Sequence, residues 1–379
     1  MTKISLKNFV DINIIPHVYN SINSTRDTVI LFTADAGKED KDAQKITLNS
    51  VEYNANLVNA TNYNSIYEGK KDTLAYLNMY FNNGGVKALV INEVAYTDLN
   101  ENIIKDLGNE YICISYATHI DTNSAEDDTT KVYSKLKTLA KNREESVYGI
   151  DEKIILANTK DSGDTDSVKN FAVKYSNQHG AEMTIAAYLS KINVYGINSI
   201  HDYAFTTENI EDESALTDEE YKTIIENNMN VDINLANDIR NCGGNCKDGY
   251  DLVNSYVRII LHQTLTDKLI NLLSQKIKNS TGISKIYSTI SQELENYVNS
   301  GYLTTDKIWT DETLSIVRNQ VTYPIIEKGT PLINGYNVTV LPLSSLTQEE
   351  KNQHKAPPIY IVLATQYGIR HITINGEII

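Results

Sequence analysis

Between residues 28 and 205, short apolar runs of strand type alternate with stretches of helical periodicity. This alternation restricts the chain to an α/β architecture on a mainly parallel sheet. Residues 28–33 (Thr-Val-Ile-Leu-Phe-Thr) form a continuous apolar run of the kind buried on both faces of a sheet, and residues 86–91, 111–116 and 153–157 repeat the pattern. Between them, Leu74, Leu77 and Phe81 share one face of a helix expected over 72–81. Further helical patterns occupy 130–142, 166–175 and 181–192. The first helix runs into Asn83-Gly84-Gly85, where glycine supplies the left-handed residue that closes a helix.

Composition shifts near residue 206. Residues 208–220 are rich in acid and contain no base, which reads as a solvated linker entering a helix capped by Thr217 with Glu220 as its box partner. The longest helical pattern follows over 250–278, where Leu252, Tyr256, Ile259, Ile260, Gln263, Leu269, Leu272 and Leu273 form a stripe wide enough for burial on several sides. A second helix over 283–297 stops at Gly301, and strand character returns over 331–343 and 357–363 around a short polar helix or turn at 347–355. At about 150 residues per domain, 379 residues imply two or three domains. The expected division is an N-terminal arm (1–20), an α/β domain (21–205), a C-terminal α+β domain (206–365) and a C-terminal arm (366–379).

Both arms alternate. Val10, Ile12 and Ile14 interleave with Asp11 and Asn13 before Pro16 ends the ladder, and His371, Thr373 and their isoleucine neighbours alternate near the other end. A lone terminal strand leaves its backbone groups unpaired and is stable only beside another sheet, in its own chain or in a neighbour.

The chain carries 49 acidic against 34 basic residues, a net charge of −15. Such a chain repels phosphate backbones and anionic lipid, so neither nucleic acid nor membrane is an expected partner. No apolar run reaches the ~18 residues of a membrane span, and the first twenty residues, with Lys3 and Lys7, lack the apolar stretch of a signal peptide. The expected setting is a soluble protein made in a cytoplasm. Twenty-five tyrosines against five phenylalanines suit an interface, but the accompanying abundance of Ile, Asn and Lys fits AT-rich codon usage better.

Catalytic signals are scarce. No glycine-rich phosphate loop, nucleophile elbow or zinc-binding helix occurs. Cys242-Gly-Gly-Asn-Cys246 is the only close cysteine pair; it lacks a second ligand pair, His262 being a poor substitute, and reads as two reduced loop thiols. Cys113 lies in an apolar strand and reads as core. No catalytic residue, metal or cofactor is expected.

Several segments, taken in order, resemble the sheath proteins of contractile tails in bacteriophages and phage-tail-like particles. The first is the run from Tyr80 through Asn83-Gly84-Gly85 to Ile91. The second runs from Gly249-Tyr250 through the long helix to Thr281-Gly282-Ile283 and Ser300-Gly301-Tyr302. The third joins Gly335-Tyr336 through Pro342, residues 348–358 and a closing strand near Gly376. The resemblance implies a non-enzymatic subunit that polymerises in hexameric rings around an inner tail tube, meets baseplate and terminator proteins, and contracts to drive the tube through a cell envelope. It implies assembly in the bacterial host cytoplasm and residence in a virion or phage-tail-like particle. It also implies that the arms complete sheets in neighbouring subunits, with Ile4, Leu6, Val10, Ile12, Ile14, Ile15, Ile369, His371, Ile372, Ile374 and Ile378 as donor positions. Asn83, Gly84, Gly85, Gly282, Gly301 and Gly335 become structural turns. Lys351, His354 and Lys355 become candidates for the tube contact, on a helix where the family tends to carry arginines. Lysine keeps the charge but loses the bidentate fork. Competing readings are a small-molecule enzyme with a reactive thiol at Cys242 or Cys246, and a baseplate or terminator protein of the same particle.

Overall fold

The computed structural model describes residues 28–38, 43–107, 111–118, 128–142, 153–211, 213, 216–235, 237–275 and 279–366. The arm residues Ile4, Leu6, Val10, Ile12, Ile14, Ile15, Ile369, His371, Ile372, Ile374 and Ile378 lie outside them.

In chain order the elements are β1 (Thr28–Thr33), β2 (Ala43–Leu48), β3 (Val51–Val58), α1 (Tyr63–Ile66), α2 (Lys71–Asn82), β4 (Lys87–Ile91), α3 (Glu101–Asp106), β5 (Cys113–Ala117), α4 (Asp128–Lys141), β6 (Ile154–Thr159), β7 (Phe171–Tyr175), α5 (Met183–Leu189) and α6 (Asp218–Glu226). There follow β8 (Asn230–Leu235), β9 (Asp238–Cys242), α7 (Leu252–Ser274), α8 (Asn279–Asn299), β10 (Leu314–Arg318), β11 (Val321–Ile326), β12 (Tyr336–Val340), α9 (Gln348–Asn352) and β13 (Ile359–Leu363).

Nine strands form one sheet in the order β2-β3-β4-β1-β5-β6-β7-β8-β9. The six from β4 to β8 run parallel, and antiparallel strands finish both ends. The parallel strands are covered on both faces, as expected of near-continuous apolar runs. Val29, Leu31, Ala88, Val90, Ile154 and Leu156 face α2, α5, α7 and α8, whereas Ile30, Phe32, Leu89, Ile91, Ile155 and Phe171 face α3, α4 and α6. In α7 the consecutive Ile259, Ile260 and Leu261 are all fully buried, so the middle of that helix is buried on more than one side.

Four expectations need correcting. Residues 166–175 are not a helix: after Asn170, in a left-handed turn at φ 51°, the chain enters β7, and Phe171, Ala172 and Val173 are wholly buried. A short apolar run cannot distinguish strand from helix by periodicity, and the place between β6 and β8 decides it. The acidic stretch from 208 is not simply a solvated linker, because Glu208 and Ile210 are buried against the sheet. Beyond residue 206, β8 and β9 extend the same sheet. Gly282 is not at a turn but inside α8.

Two hairpins, β2–β3 and β10–β11, went unanticipated because their strands are too polar to read as apolar runs. Their turns, Asn49-Ser50 and Asn319-Gln320, have positive φ at both central residues, which matches the twist of a two-residue hairpin.

Candidate functional site

The glycine stops first position the C-terminal unit. Gly301, at φ 77°, donates to the Val298 carbonyl and Tyr302 donates to that of Tyr297, closing α8 in a Schellman motif. Gly84 and Gly85 close α2 the same way, donating to the carbonyls of Phe81 and Tyr80. The Asn83 side chain then clasps the backbone of Asn209 in both directions, and its carbonyl accepts from Lys191 Nζ. Gly335, at φ 73°, turns the chain into β12.

β12 and β13 pair antiparallel from Tyr336↔Leu363 to Val340↔Ile359. One face of this ribbon, carrying Tyr336, Val338, Ile359, Ile361 and Leu363, packs on the main core, and Tyr336 donates to the Ser291 carbonyl of α8. On the other face, Asn337 Nδ2 and Thr339 Oγ1 both donate to the Ile325 carbonyl of β11. Each strand of such a ribbon directs alternate backbone N–H and C=O groups away from its partner. Among the described residues no third strand pairs with either edge. A two-stranded sheet is marginal alone, so this one rests on α8 beneath it and is open to a further strand.

Between β12 and β13 lies α9. Thr347 caps it, accepting from Glu350 N, while Glu350 Oε2 accepts from Thr347 N at 2.8 Å, a reciprocal capping box. The other oxygen of the same carboxylate accepts from Arg318 Nη2 at 2.5 Å, and Asn319 Nδ2 donates to the Ser345 carbonyl at 3.0 Å. The β10–β11 hairpin therefore holds α9 by its tip. The Thr347 backbone amide, ahead of Arg318, holds the Glu350 carboxyl below its ordinary range. Lys351, His354 and Lys355 are all exposed around the end of this helix, with His354 in a left-handed turn at φ 55°. Glu349 and Glu350 occupy its first turn, so the helix is mixed in charge and basic only at its C-terminal end. Arg318 and Asn319 had no sequence signal, because their partners are 32 and 26 residues away.

The thiols are buried in the fold. Cys242 ends β9 and Cys246 follows in the next turn, both buried and unpaired with each other. Burial raises the pKa of both, opposite to the shift an attacking thiolate requires. Burial likewise pushes the Cys113 thiol up to about 12. Among the described residues no cluster of His, Cys, Asp and Glu is arranged to hold a metal ion, and no helix is long and apolar enough to cross a membrane.

No protein-family model and no curated protein matches the chain. Solved structures do. A chain of the anti-feeding prophage (AFP) baseplate superposes over 97% of both chains with a TM-score of 0.61 at 17% identity. A chain of the sheath complex of an extracellular contractile injection system (PVC), in its contracted state, covers 97% of this chain and 98% of its own, with a TM-score of 0.59 at 15% identity. The fold is the contractile-sheath fold. Coverage of 97% of this chain by both structures means that the nine-stranded sheet, the helical pair α7–α8 and the C-terminal ribbon are parts of one shared architecture.

Proposed function

We propose that this chain is the structural subunit of a contractile sheath, and that the open β12–β13 ribbon carries its function by receiving strands from neighbouring copies. The alternating segments at 4–15 and 369–378 supply those strands: each has the length and pattern to add to an edge, with backbone hydrogen bonds giving affinity and alternate side chains giving register. Donor and acceptor are different surfaces of the same chain, so the contact is heterologous and propagates into rings and helices, hexameric in this reading. The inner tube occupies the bore, touched by Lys351 and Lys355, and baseplate and terminator proteins close the ends. The particle assembles in the host cytoplasm. The division into arms, α/β domain from 21 and C-terminal domain to 365 belongs to the same proposal.

Contraction is a change between two packings of the same subunits while the exchanged strands keep the mesh connected. A modest free-energy difference per subunit, multiplied over many copies, drives it without nucleotide. Deletion of residues 1–20 or of 367–379 tests the central step. Either deletion is expected to give soluble, folded protein that forms no tubes or rings in electron micrographs. Sheath-like tubes from either truncated chain would overturn the proposal.

A further inference from the structure

Lys174, on β7, is wholly buried, and its ammonium meets two buried carboxylates: Glu208 Oε2 at 2.7 Å and Asp232 Oδ1 at 2.8 Å. It also donates to Tyr203 Oη at 3.1 Å and lies 3.2 Å from Asn241 Oδ1. Tyr203 and Glu208 both belong to a strap, residues 203–211 with 213, laid across the end of the sheet. Phe205 and Glu208 donate their backbone N–H to the carbonyls of Asn241 and Ile239 on β9, and Glu213 donates to that of Asp232 on β8. The strap's outer side is held by Asn83 through Asn209.

The charges in this cluster do not balance. Two buried carboxylates face one ammonium, and a surplus buried charge is resolved by taking up a proton. The hydrogen bonds show where that proton sits. Both oxygens of Glu208 have donors, Lys174 at Oε2 and the Tyr203 hydroxyl at Oε1. Asp232 Oδ2 is buried with no donor aimed at it. Of the other elements packed here, α5 contributes the Thr184 hydroxyl to Tyr203 and β9 contributes Asn241 and the neutral Cys242; two further cations are engaged elsewhere, Lys191, which feels the Glu208 charge, on the Asn83 carbonyl, and Arg240 of β9 on Asp238 and the Phe205 carbonyl.

We propose that the strap is a proton-held latch: one proton on the Asp232–Glu208 pair lets Lys174 clamp the strap onto the sheet, tightest in mild acid and looser as pH rises. Burial, together with the Glu208 charge, pushes the Asp232 carboxyl up to about 8 against the pull of Lys174, while the Lys174 ammonium overcomes burial to hold Glu208 below its ordinary value. An aspartate raised in the closed state and ordinary in the open one contributes stability that is full below about pH 4 and is lost steadily as pH rises toward 8. The opening constant of the strap then rises about tenfold per pH unit through that window and levels off above it.

Hydrogen exchange of the Phe205, Glu208 and Glu213 amides in the full chain, corrected for intrinsic base catalysis, tests this between pH 5.5 and 7.5. The expected result is about a hundredfold rise in opening over two pH units. Asp232→Asn and Glu208→Gln each leave one carboxylate for one ammonium, so in either variant that rise is expected to vanish. Should one variant fail to fold, the other remains, and the Cγ carbon chemical shift of Asp232 in the unmodified protein reads the proton directly. A flat profile in the unmodified protein, a persistent slope in a folded variant, or an ionised Asp232 at pH 6 would each overturn the latch.

Discussion

Single residues set where the helices stop. A Cβ on Gly85 would lie 2.4 Å from the Tyr80 ring, whose hydroxyl donates to the Lys87 carbonyl and accepts from Val86 N, so ring and turn are locked together. Gly85→Ala is expected to cost about 1–3 kcal/mol by overpacking, seen as a lower thermal midpoint with the fold retained. Gly301→Ala meets both a left-handed backbone at φ 77° and Asn198 Oδ1 at 2.9 Å, and is expected to destabilise by at least about 1 kcal/mol. A midpoint unchanged in either variant would contradict the packing described. These stops were legible in the sequence, since a glycine after a periodic apolar run has a local cause. Gly282 shows the limit of that reading: it looks like the same signal but lies within α8, because neighbours, not composition, decide whether a glycine ends a helix.

Among the elements, α9 depends on one carboxylate performing two tasks. Glu350 caps its own helix through Thr347 and anchors it to the hairpin through Arg318. Its lowered pKa gives the sign of the pH effect. Stability from this group is present above the ordinary glutamate value and is lost as pH falls through the lower folded value. Thr347→Ala is expected to cost about 1 kcal/mol, the usual loss for a side-chain cap, and to increase exchange of the α9 amides. Arg318→Ala is expected to release α9 from the hairpin without unfolding it, read as increased protease cleavage near residue 350 while the thermal midpoint moves little. Cleavage as slow as in the unmodified chain would remove Arg318 from that role. The segment read as a short polar helix or turn, but its anchor was not legible, because the ion pair joins residues far apart in sequence.

For the whole molecule, the net charge of −15 opposes association between copies of this chain through mutual repulsion. Raising ionic strength from about 0.01 to 0.15 M shortens the screening length to ~8 Å and is expected to speed self-assembly, followed by light scattering. Under the proposed function, contact with an acidic tube through Lys351 and Lys355 would respond in the opposite sense. Charge reversal at both, Lys351→Glu with Lys355→Glu, is expected to leave sheath formation intact and abolish co-assembly with tube. Unchanged co-assembly would return this end of α9 to the role of a solvated turn.

The sequence by itself determined the architecture of the core. Apolar runs covered on both faces, helical stripes and glycine stops are governed by neighbours within a few residues, so their pattern is written locally. It also reached the family likeness through ordered segments that superposition over 97% of the chain later matched at the level of fold. Tertiary structure decided the rest. Only packing shows that Glu208, in a stretch that reads as solvated, is the buried partner of Lys174, that β8 and β9 extend the sheet past residue 206, and that among the described residues no third strand joins β12 and β13. Each depends on residues dozens of positions apart meeting where water is excluded, and burial of that kind has no local signature.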